Sequence, residues 1–204
     1  MTPRAGAFLS ALTARRSIRQ FTNEPVPDET IRRILAAACR APSAHNRQPW
    51  RFAVVRSEKV RRGLAQAMAA RHRSDLESDG LQREQIEARL ERRRERLEGA
   101  PVVIVLCLTM VDMDAYPDAR RQAAERTLAI QSLAVAGGHL LLAAHAEGLG
   151  ACWICAPLFA PEVVREVLDL PADWDPQAAI LLGCPAEAGR ETLRRAADEV
   201  SLWR

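Results

Sequence analysis

Lysine, aromatic residues and surplus charge of either sign are scarce in this chain. Only Lys59 of its 204 residues is a lysine, aromatic residues make up 4%, and the net charge is +3. A nucleic-acid-binding protein needs a clustered basic face, so the near balance of 29 basic and 26 acidic residues argues against a nucleic-acid partner. With 48% hydrophobic and 27% charged residues the composition is that of a globular protein, and we expect residues 1–204 to form one domain.

Disulfide frameworks, secretion signals and nucleotide-binding glycine loops are also missing. Five scattered cysteines fit a reducing compartment, and the short apolar stretch Ala5–Leu12 has no cleavage-site pattern, so we expect a cytoplasmic protein. No Walker A loop is present. Gly148 and Gly150 lie between a helix and a strand, in the order opposite to that of a dinucleotide fold, and Trp153 occupies the position of the last glycine.

The pair Cys152 and Cys155 raises the question of a redox or metal site. A thioredoxin-type site puts the first cysteine at a helix N-terminus, where the helix dipole lowers its pKa, whereas this pair lies in a strand-like segment. A structural zinc site needs a second pair of ligands at a suitable spacing, and the other three cysteines are single. We therefore expect no metal, with a redox role as the weaker alternative. No order typical of a catalytic triad is found elsewhere.

The segment Ala41–Arg51 has the highest density of polar functional groups, reading Ala-Pro-Ser-Ala-His-Asn-Arg-Gln-Pro-Trp-Arg. Pro42 and Pro49 each fix φ and remove a backbone donor, so neither a helix nor a central strand runs through this proline loop. The loop carries more hydrogen-bonding side chains than a connection needs, as do loops that present polar groups to a ligand. His45 could act there as a general acid, although a loop histidine more often shapes a surface or a ligand site.

A second polar cluster, the arginine run Arg15–Phe21, is expected to be extended or turn-like. A solvated run of charges is the simplest interpretation. Arginine forks match phosphate oxygens bidentately, however, and a serine adds a donor, so the run also suits an anion. With the proline loop downstream we favour an anion site. In an extended segment alternate residues face the same way, which puts Arg15, Ser17 and Arg19 on one side and Arg16 on the other.

Hydrophobic periodicity predicts both helices and strands. The helices expected from it are Ala7–Ala14, Asp28–Arg40, Glu58–His72, Arg83–Glu98, Arg120–Glu147 and Pro161–Leu168. The strands are Arg51–Arg56, Val102–Leu108, Ala151–Cys155 and Ala178–Gly183. In Arg83–Glu98, the residues Ile86, Leu90 and Leu97 could contact a partner helix, although an exposed helix laced with ion pairs is the stronger alternative. Residues Gly189–Arg204 show no strong period and are expected to form an arm.

The Arg120–Glu147 helix is apolar nearly all round from Leu128 to Ala146. About 20 apolar residues suffice to cross a bilayer, but His139 and His145 would be costly in lipid and strands flank the helix, so we expect no membrane association. A helix that is apolar on every side in a soluble protein is buried on every side. One chain of 204 residues can hardly achieve this, so the sequence points to a homodimer.

Together these motifs resemble the FMN-dependent nitroreductase family. The proline loop, as Ala-Pro-Ser-x-x-Asn-x-Gln-Pro-Trp, follows the Arg15-Arg16-Ser17-Ile18-Arg19 motif by about 25 residues, and the resemblance extends over nearly the whole chain. Gly148–Trp153, Pro171–Trp174 and the Trp203 tail look closer still to the C-terminal reductase domain of the bifunctional proteins that make coenzyme F-420. The resemblance implies an α+β fold: a mixed, largely antiparallel sheet flanked by helices, with a long dimerisation helix and FMN at the subunit interface.

Binding roles follow from the same resemblance. Its implied contacts to the FMN phosphate and flavin edge are Arg15, Arg16, Ser17, Arg19 and Arg190. Those to the flavin ring are Asp75, Asn46, Cys155 through its backbone, and Ala156. Pro157 has no N–H, so Ala156 is the expected donor to flavin N5. Ser43 and Asn46 would border flavin and substrate, and His45 would lie on the substrate side.

The resemblance implies that reduced FMN passes a hydride to an electron-poor small molecule. The flavin carries this chemistry while the protein binds and orients it, so no protein nucleophile is expected. A dehydro precursor of coenzyme F-420 is the first acceptor hypothesis. A general NAD(P)H-dependent nitroreductase, or a quinone or flavin reductase, is the second. A flavin- or coenzyme-binding protein without turnover is the third.

Overall fold

The structure, a computed structural model, describes the backbone of residues 3–204 and the side chains of residues 6–204. The described chain forms α1 (Pro3–Ala14), α2 (Asp28–Ala38), β1 (Trp50–Val55), α3 (Glu58–Ser78), α4 (Arg83–Glu98), β2 (Val102–Leu108), α5 (Ala119–Ala146), β3 (Gly150–Ile154), α6 (Pro161–Leu168), β4 (Asp175–Gly183) and α7 (Ala197–Val200). Short 3-10 turns occupy Ala44–Asn46 and Ala156–Phe159. The expected helices and strands are therefore confirmed: most ends agree or differ by one to three residues, whereas α1 begins four residues earlier and α3 ends six residues later.

The four strands form one sheet in the order β1-β2-β4-β3, and every neighbouring pair is antiparallel. At the outer edge of β3, Ser17 forms an isolated parallel bridge to Ala151. This bridge makes the sheet mixed, so the expected α+β class with a largely antiparallel sheet is confirmed.

Helices cover both faces of the sheet. Because strand side chains alternate between faces, Ile104, Leu106 and Ile180 pack with α2 and α5, while Val105 and Leu181 pack on the opposite face with α3 and α6. Helix α4 lies outside α3 and contacts it along its length. At the end of β3, Ile154 and Cys155 share a cleft with residues of α3 and α4.

Helix α3 departs most from its expected bounds. Helix α3 does not stop at His72 but continues to Ser78, because Leu76 is buried against Ile86 and Leu90 of α4. It ends just before Gly80, whose φ of +74° suits glycine. Those two α4 residues thus contact a helix of the same chain, and ion pairs such as Arg94 with Glu91 cover the outer face of α4.

Helix α5 is not buried on every side within one chain, as expected for a chain of this size. One face packs into the core with α2 and the sheet, through residues such as Leu133 and Leu140. The opposite face leaves Leu128, Ile130 and Val135 36–41% exposed. By length and composition alone α5 could cross a membrane, but its buried face belongs to the core of the fold. An apolar face of α5 therefore has no cover within the described chain.

Candidate functional site

The arginine run is anchored along the edge of β3. The backbone N–H of Ile18 donates to the carbonyl of Ala151 at 3.0 Å, and the Ile18 side chain is buried. A Cβ at Gly150 would come within 2.7 Å of Ile18, so only glycine lets the two segments approach this closely. The run is thus held extended, as expected.

Arg19 lines the cleft beside α4, whereas Arg15 and Arg16 line a neighbouring cleft. Burial raises the pKa of the Cys152 thiol above its ordinary value, and the guanidinium groups of Arg19, Arg96 and Arg15 oppose this to a lesser extent. Arg16 faces the other way, because its guanidinium lies 3.3 Å from Glu191 and donates to the carbonyl of Thr13. The structure therefore does not bring Arg16 to the side that carries Arg19.

A basic cleft of about 690 Å³ opens beside the run. Its basic and hydroxyl side chains are Ser17, Arg19, Arg92, Arg96 and Arg190. Ser17, Arg19 and Arg190, expected to be at one site, are thus brought together, whereas Arg15 lines a neighbouring cleft with Arg16. Arg92 and Arg96 were not expected here, because their alternating charge pattern is also that of a solvated helix.

A second cleft, the α4–β3 cleft, has a volume of about 320 Å³ and meets the basic cleft at Arg96. It contains Cys155 and Ala156, which follow the end of β3. The N–H of Ala156 has no protein acceptor among the described residues. The Trp153 indole N–H donates to the Cys155 sulfur at 3.2 Å. The free N–H of Ala156 therefore lies next to a basic cleft. A ligand that joins an anionic group to a ring system needs these two features side by side.

His72 and Phe159 complete the α4–β3 cleft. Their rings meet edge to face with centroids 6.5 Å apart. Burial, and to a lesser extent the charge of Arg93, lowers the pKa of His72, so the imidazole is neutral at physiological pH. The expected flavin contact Asp75 lines neither cleft, since its carboxylate pairs with Arg71 on the exposed side of α3. Its role in flavin binding is not supported by this placement.

The proline loop holds an unusual backbone conformation. His45, Asn46 and Gln48 have φ of +50°, +54° and +51°, which costs about 1–2 kcal/mol for each non-glycine residue. Ser43 Oγ accepts the N–H of Gln48 at 3.0 Å, and the N–H of Ala44 donates to the hydroxyl of Ser132 in α5 at 3.1 Å. Strain that persists under such support is typical of ligand sites.

Ion pairs tie the loop to the segment after β2. Arg47 pairs with Asp114 at 2.6 Å and Arg51 with Asp112 at 3.0 Å. The N–H of Asp114 in turn donates to the buried carboxylate of Glu125 at 3.1 Å. Ser43, His45 and Asn46 are therefore presented at a braced surface, with His45 and Asn46 exposed.

The two polar motifs lie at opposite corners of the sheet. Ser17 is four strand spacings of about 4.8 Å from β1. It lies level with the Val55 end of β1, whereas the proline loop adjoins the Trp50 end, five residues of about 3.4 Å away. The separation is roughly 25 Å, too far for one flavin ring to contact both motifs in the same chain. Among the described residues no cluster of three metal-ligating side chains is found.

Comparison with known proteins shows the family of the chain. The profile of the nitroreductase family matches residues 12–184. The chain belongs to the nitroreductase family. This match spans both polar motifs, and with it the expected enzyme class, an FMN-dependent oxidoreductase, is confirmed.

Individual family members are similar over most of their length. An NADH dehydrogenase of Thermus thermophilus is 33% identical, and the alignment covers 96% of this chain and 95% of that protein. A 5,6-dimethylbenzimidazole synthase of Rhodospirillum rubrum is 34% identical over 85% of this chain and 79% of its own. A Desulfovibrio desulfuricans protein described as a nitroreductase, solved in complex with FMN, superimposes with a TM-score of 0.73 at 30% identity, covering 100% of this chain and 98% of that one.

Proposed function

We propose that the protein binds FMN along the edge of β3 and uses it to reduce an electron-poor small molecule. The observation that carries the proposal is the junction at Arg96. There a basic cleft containing Arg19 meets a cleft that contains the free N–H of Ala156. A flavin mononucleotide has this arrangement of groups, with one terminal phosphate joined to a ring that accepts a hydrogen bond at N5. The FMN complex of the Desulfovibrio relative supports the choice of flavin.

Each group has a defined part in this proposal. Arg19, Arg96 and Arg190 hold the phosphate by charge-assisted hydrogen bonds, and Ser17 adds a hydroxyl. Ala156 donates its N–H to N5. When bound, FMN supplies hydride transfer: two electrons and one proton pass to the acceptor, which takes a second proton from solvent. NAD(P)H restores the reduced flavin, in line with the name NADH dehydrogenase of the Thermus relative.

A second copy of the chain completes the site. The proline loop cannot reach the arginine run of its own chain, but a two-fold related copy can present its loop to the open face of the flavin. The uncovered apolar face of α5 supplies a surface for that contact. The C-terminal arm supplies another, because Leu193, Leu202 and Trp203 are 76–100% exposed in one chain. We propose a homodimer in which Ser43, His45 and Asn46 of the partner border flavin and substrate.

The acceptor we propose is a dehydro precursor of coenzyme F-420, and this rests on the sequence resemblance alone. The segments that carry it have structural roles here: a Cβ at Gly137 would strike the Trp153 ring at 2.2 Å, and Asp173 accepts the Thr109 hydroxyl at 2.8 Å. A general NAD(P)H-dependent reductase of quinones or nitroaromatics is the second candidate, favoured by the name of the Thermus relative. The free thiols of the five cysteines suit action in the cytoplasm.

Flavin identity and acceptor choice can be tested in one series. Flavin released from the purified protein by heat should co-chromatograph with FMN, and NADH or NADPH should bleach the bound flavin without oxygen. The reduced protein should then be reoxidised faster by the dehydro precursor than by menadione. Faster reoxidation by menadione would favour the general reductase, and bleaching only by dithionite would favour binding without turnover. FAD, or no flavin after reconstitution, would contradict the proposal.

A further inference from the structure

One face of α4 carries arginines without carboxylate partners. Arg89, Arg92, Arg93 and Arg96 follow each other at i, i+3, i+4 and i+7, so they project from the same side of the helix. Among the described residues none of the four has a carboxylate oxygen within 4.0 Å. Arg94, on the same helix, pairs with Glu91 and Glu98. Three of these four arginines, Arg92, Arg93 and Arg96, line the two clefts.

The two clefts differ in how this charge is balanced. The basic cleft, proposed for the FMN phosphate, also contains the carboxylates of Glu95 and Glu187. The α4–β3 cleft is lined by Arg93, Arg94 and Arg96 and by no acidic residue. Arg94 is paired with Glu91 and Glu98, and Arg96 is assigned to the phosphate, so the uncompensated positive charge of this cleft is that of Arg93.

Apolar side chains form the rest of the α4–β3 cleft. Met68, Leu90 and Leu97 are buried there, and the exposed ring of Phe159 stands at its edge. The neutral His72 adds a polar atom without adding charge. Apolar walls lower the local dielectric constant and strengthen the field of a nearby guanidinium. The cleft therefore suits a flat apolar body that ends in an acid.

We propose that the acceptor reduced at this site is a conjugated molecule carrying a carboxylate, sulfonate or phosphate, and that Arg93 binds this acidic group in the α4–β3 cleft. The inference rests on the proposed function and specifies its substrate class. Arg93 is chosen because it lines only this cleft, whereas Arg96 lines both.

Matched acceptors test the proposal with the flavin-loaded protein. We compare 1,4-naphthoquinone with its 2-sulfonate, and nitrobenzene with 4-nitrobenzoate. The wild-type protein should show a lower KM for the charged member of each pair. Arg93→Ala should raise the KM for the charged acceptors roughly ten- to a hundredfold, as expected for a lost charge-assisted hydrogen bond, and leave the neutral ones unchanged. Arg89→Ala, one turn away and lining neither cleft, is the matched control and should change neither KM.

Two further measurements separate the sources of an effect. Flavin reduction by NADPH and by NADH should be unaffected in Arg93→Ala; slower reduction by NADPH alone would assign the arginine to the donor's 2′-phosphate and overturn the proposal. Calorimetry with 2-naphthalenesulfonate, which is not reduced, should show binding that Arg93→Ala abolishes. If neutral quinones are reduced but Arg93→Ala affects charged and neutral acceptors alike, the proposed function stands and this inference falls. If no flavin binds, the proposed function is wrong. The calorimetry alone then tests whether Arg93 binds an acidic group in the α4–β3 cleft.

Discussion

Ala134→Arg, on the exposed apolar face of α5, is expected to turn the proposed dimer into a monomer that no longer retains FMN. Ala134 is exposed in the single chain and lies one turn from Ile130 and Gly138 on the uncovered face. In a dimer packed through this face, the new guanidinium would be buried without a partner, which costs several kcal/mol. The dimer should therefore weaken by at least roughly a hundredfold, at ~1.4 kcal/mol per decade.

Light scattering after size exclusion, with absorbance at the flavin band, measures both effects. Ala88→Arg is a matched control, since it makes the same change at an exposed alanine of α4 away from the apolar face of α5. Circular dichroism checks that both variants are folded. A flavin-loaded dimer of Ala134→Arg would contradict the assignment of this face to the dimer, and a flavin-loaded monomer would contradict the shared site.

Arg19→Ala is expected to weaken FMN binding roughly ten- to a hundredfold. A hydrogen bond to a charged group contributes about 1.5–3 kcal/mol, and the Arg19 side chain lines the basic cleft with Arg96 and Arg190. Arg19→Lys should recover only part of the loss, because lysine keeps the charge but not the fork. The fold should survive, since Arg19 is exposed at the cleft rather than in the core.

Flavin fluorescence titration of the apo-protein gives the affinities, with circular dichroism alongside. Arg16→Ala is the control from the same run, because Arg16 pairs with Glu191 at the surface, where ion pairs contribute about 0–1 kcal/mol. We expect only a few-fold change for it. Equal affinities of the Arg19→Ala protein and the parent would show that Arg19 is not a flavin ligand.

Much of the fold could be predicted because its helices and strands have strong local patterns. Helix Arg83–Glu98 and strand Val102–Leu108 have the predicted ends, the strand because a continuous apolar run follows Pro101. The C-terminal end of α3 was missed because its last turn is stabilised by contacts of Leu76 with α4, which no local pattern reveals. For α5, the apolar pattern of the sequence predicts burial on every side. The single chain leaves one face of this helix exposed.

The candidate site was predictable in its parts but not in its arrangement. Dense polar side chains between prolines and a run of arginines mark the two motifs in the sequence. Their placement at opposite corners depends on the strand order, which local patterns do not encode. The position of Arg96 in the basic cleft could not be predicted, because charged residues on a solvated helix and on a ligand-binding helix have the same spacing. A flavin contact was predicted for Asp75 only from its position in the sequence. Its ion pair with Arg71 depends on the continuation of α3 beyond His72, which the sequence did not predict.

Complementation between two inactive variants tests most directly whether one flavin site is built from two chains. Arg19→Ala disables the arginine run, and Asn46→Trp fills the space in front of the proline loop. Neither variant should hold FMN at a concentration chosen between the dissociation constants of the parent and of Arg19→Ala. After the two are unfolded together in equal amounts and refolded, half of the dimers should be mixed, and each mixed dimer should have one intact site.

The mixture should therefore recover about a quarter of the flavin and of the reductase activity of the parent protein, as expected for random pairing in a two-fold dimer. A mixture of Arg19→Ala and Arg190→Ala, which alter the same basic cleft, is the control and should recover none. Recovery of about a quarter in the first mixture alone is the result that this account predicts. No recovery in the first mixture, with mixed dimers present, would mean that each chain builds its own site and would contradict it.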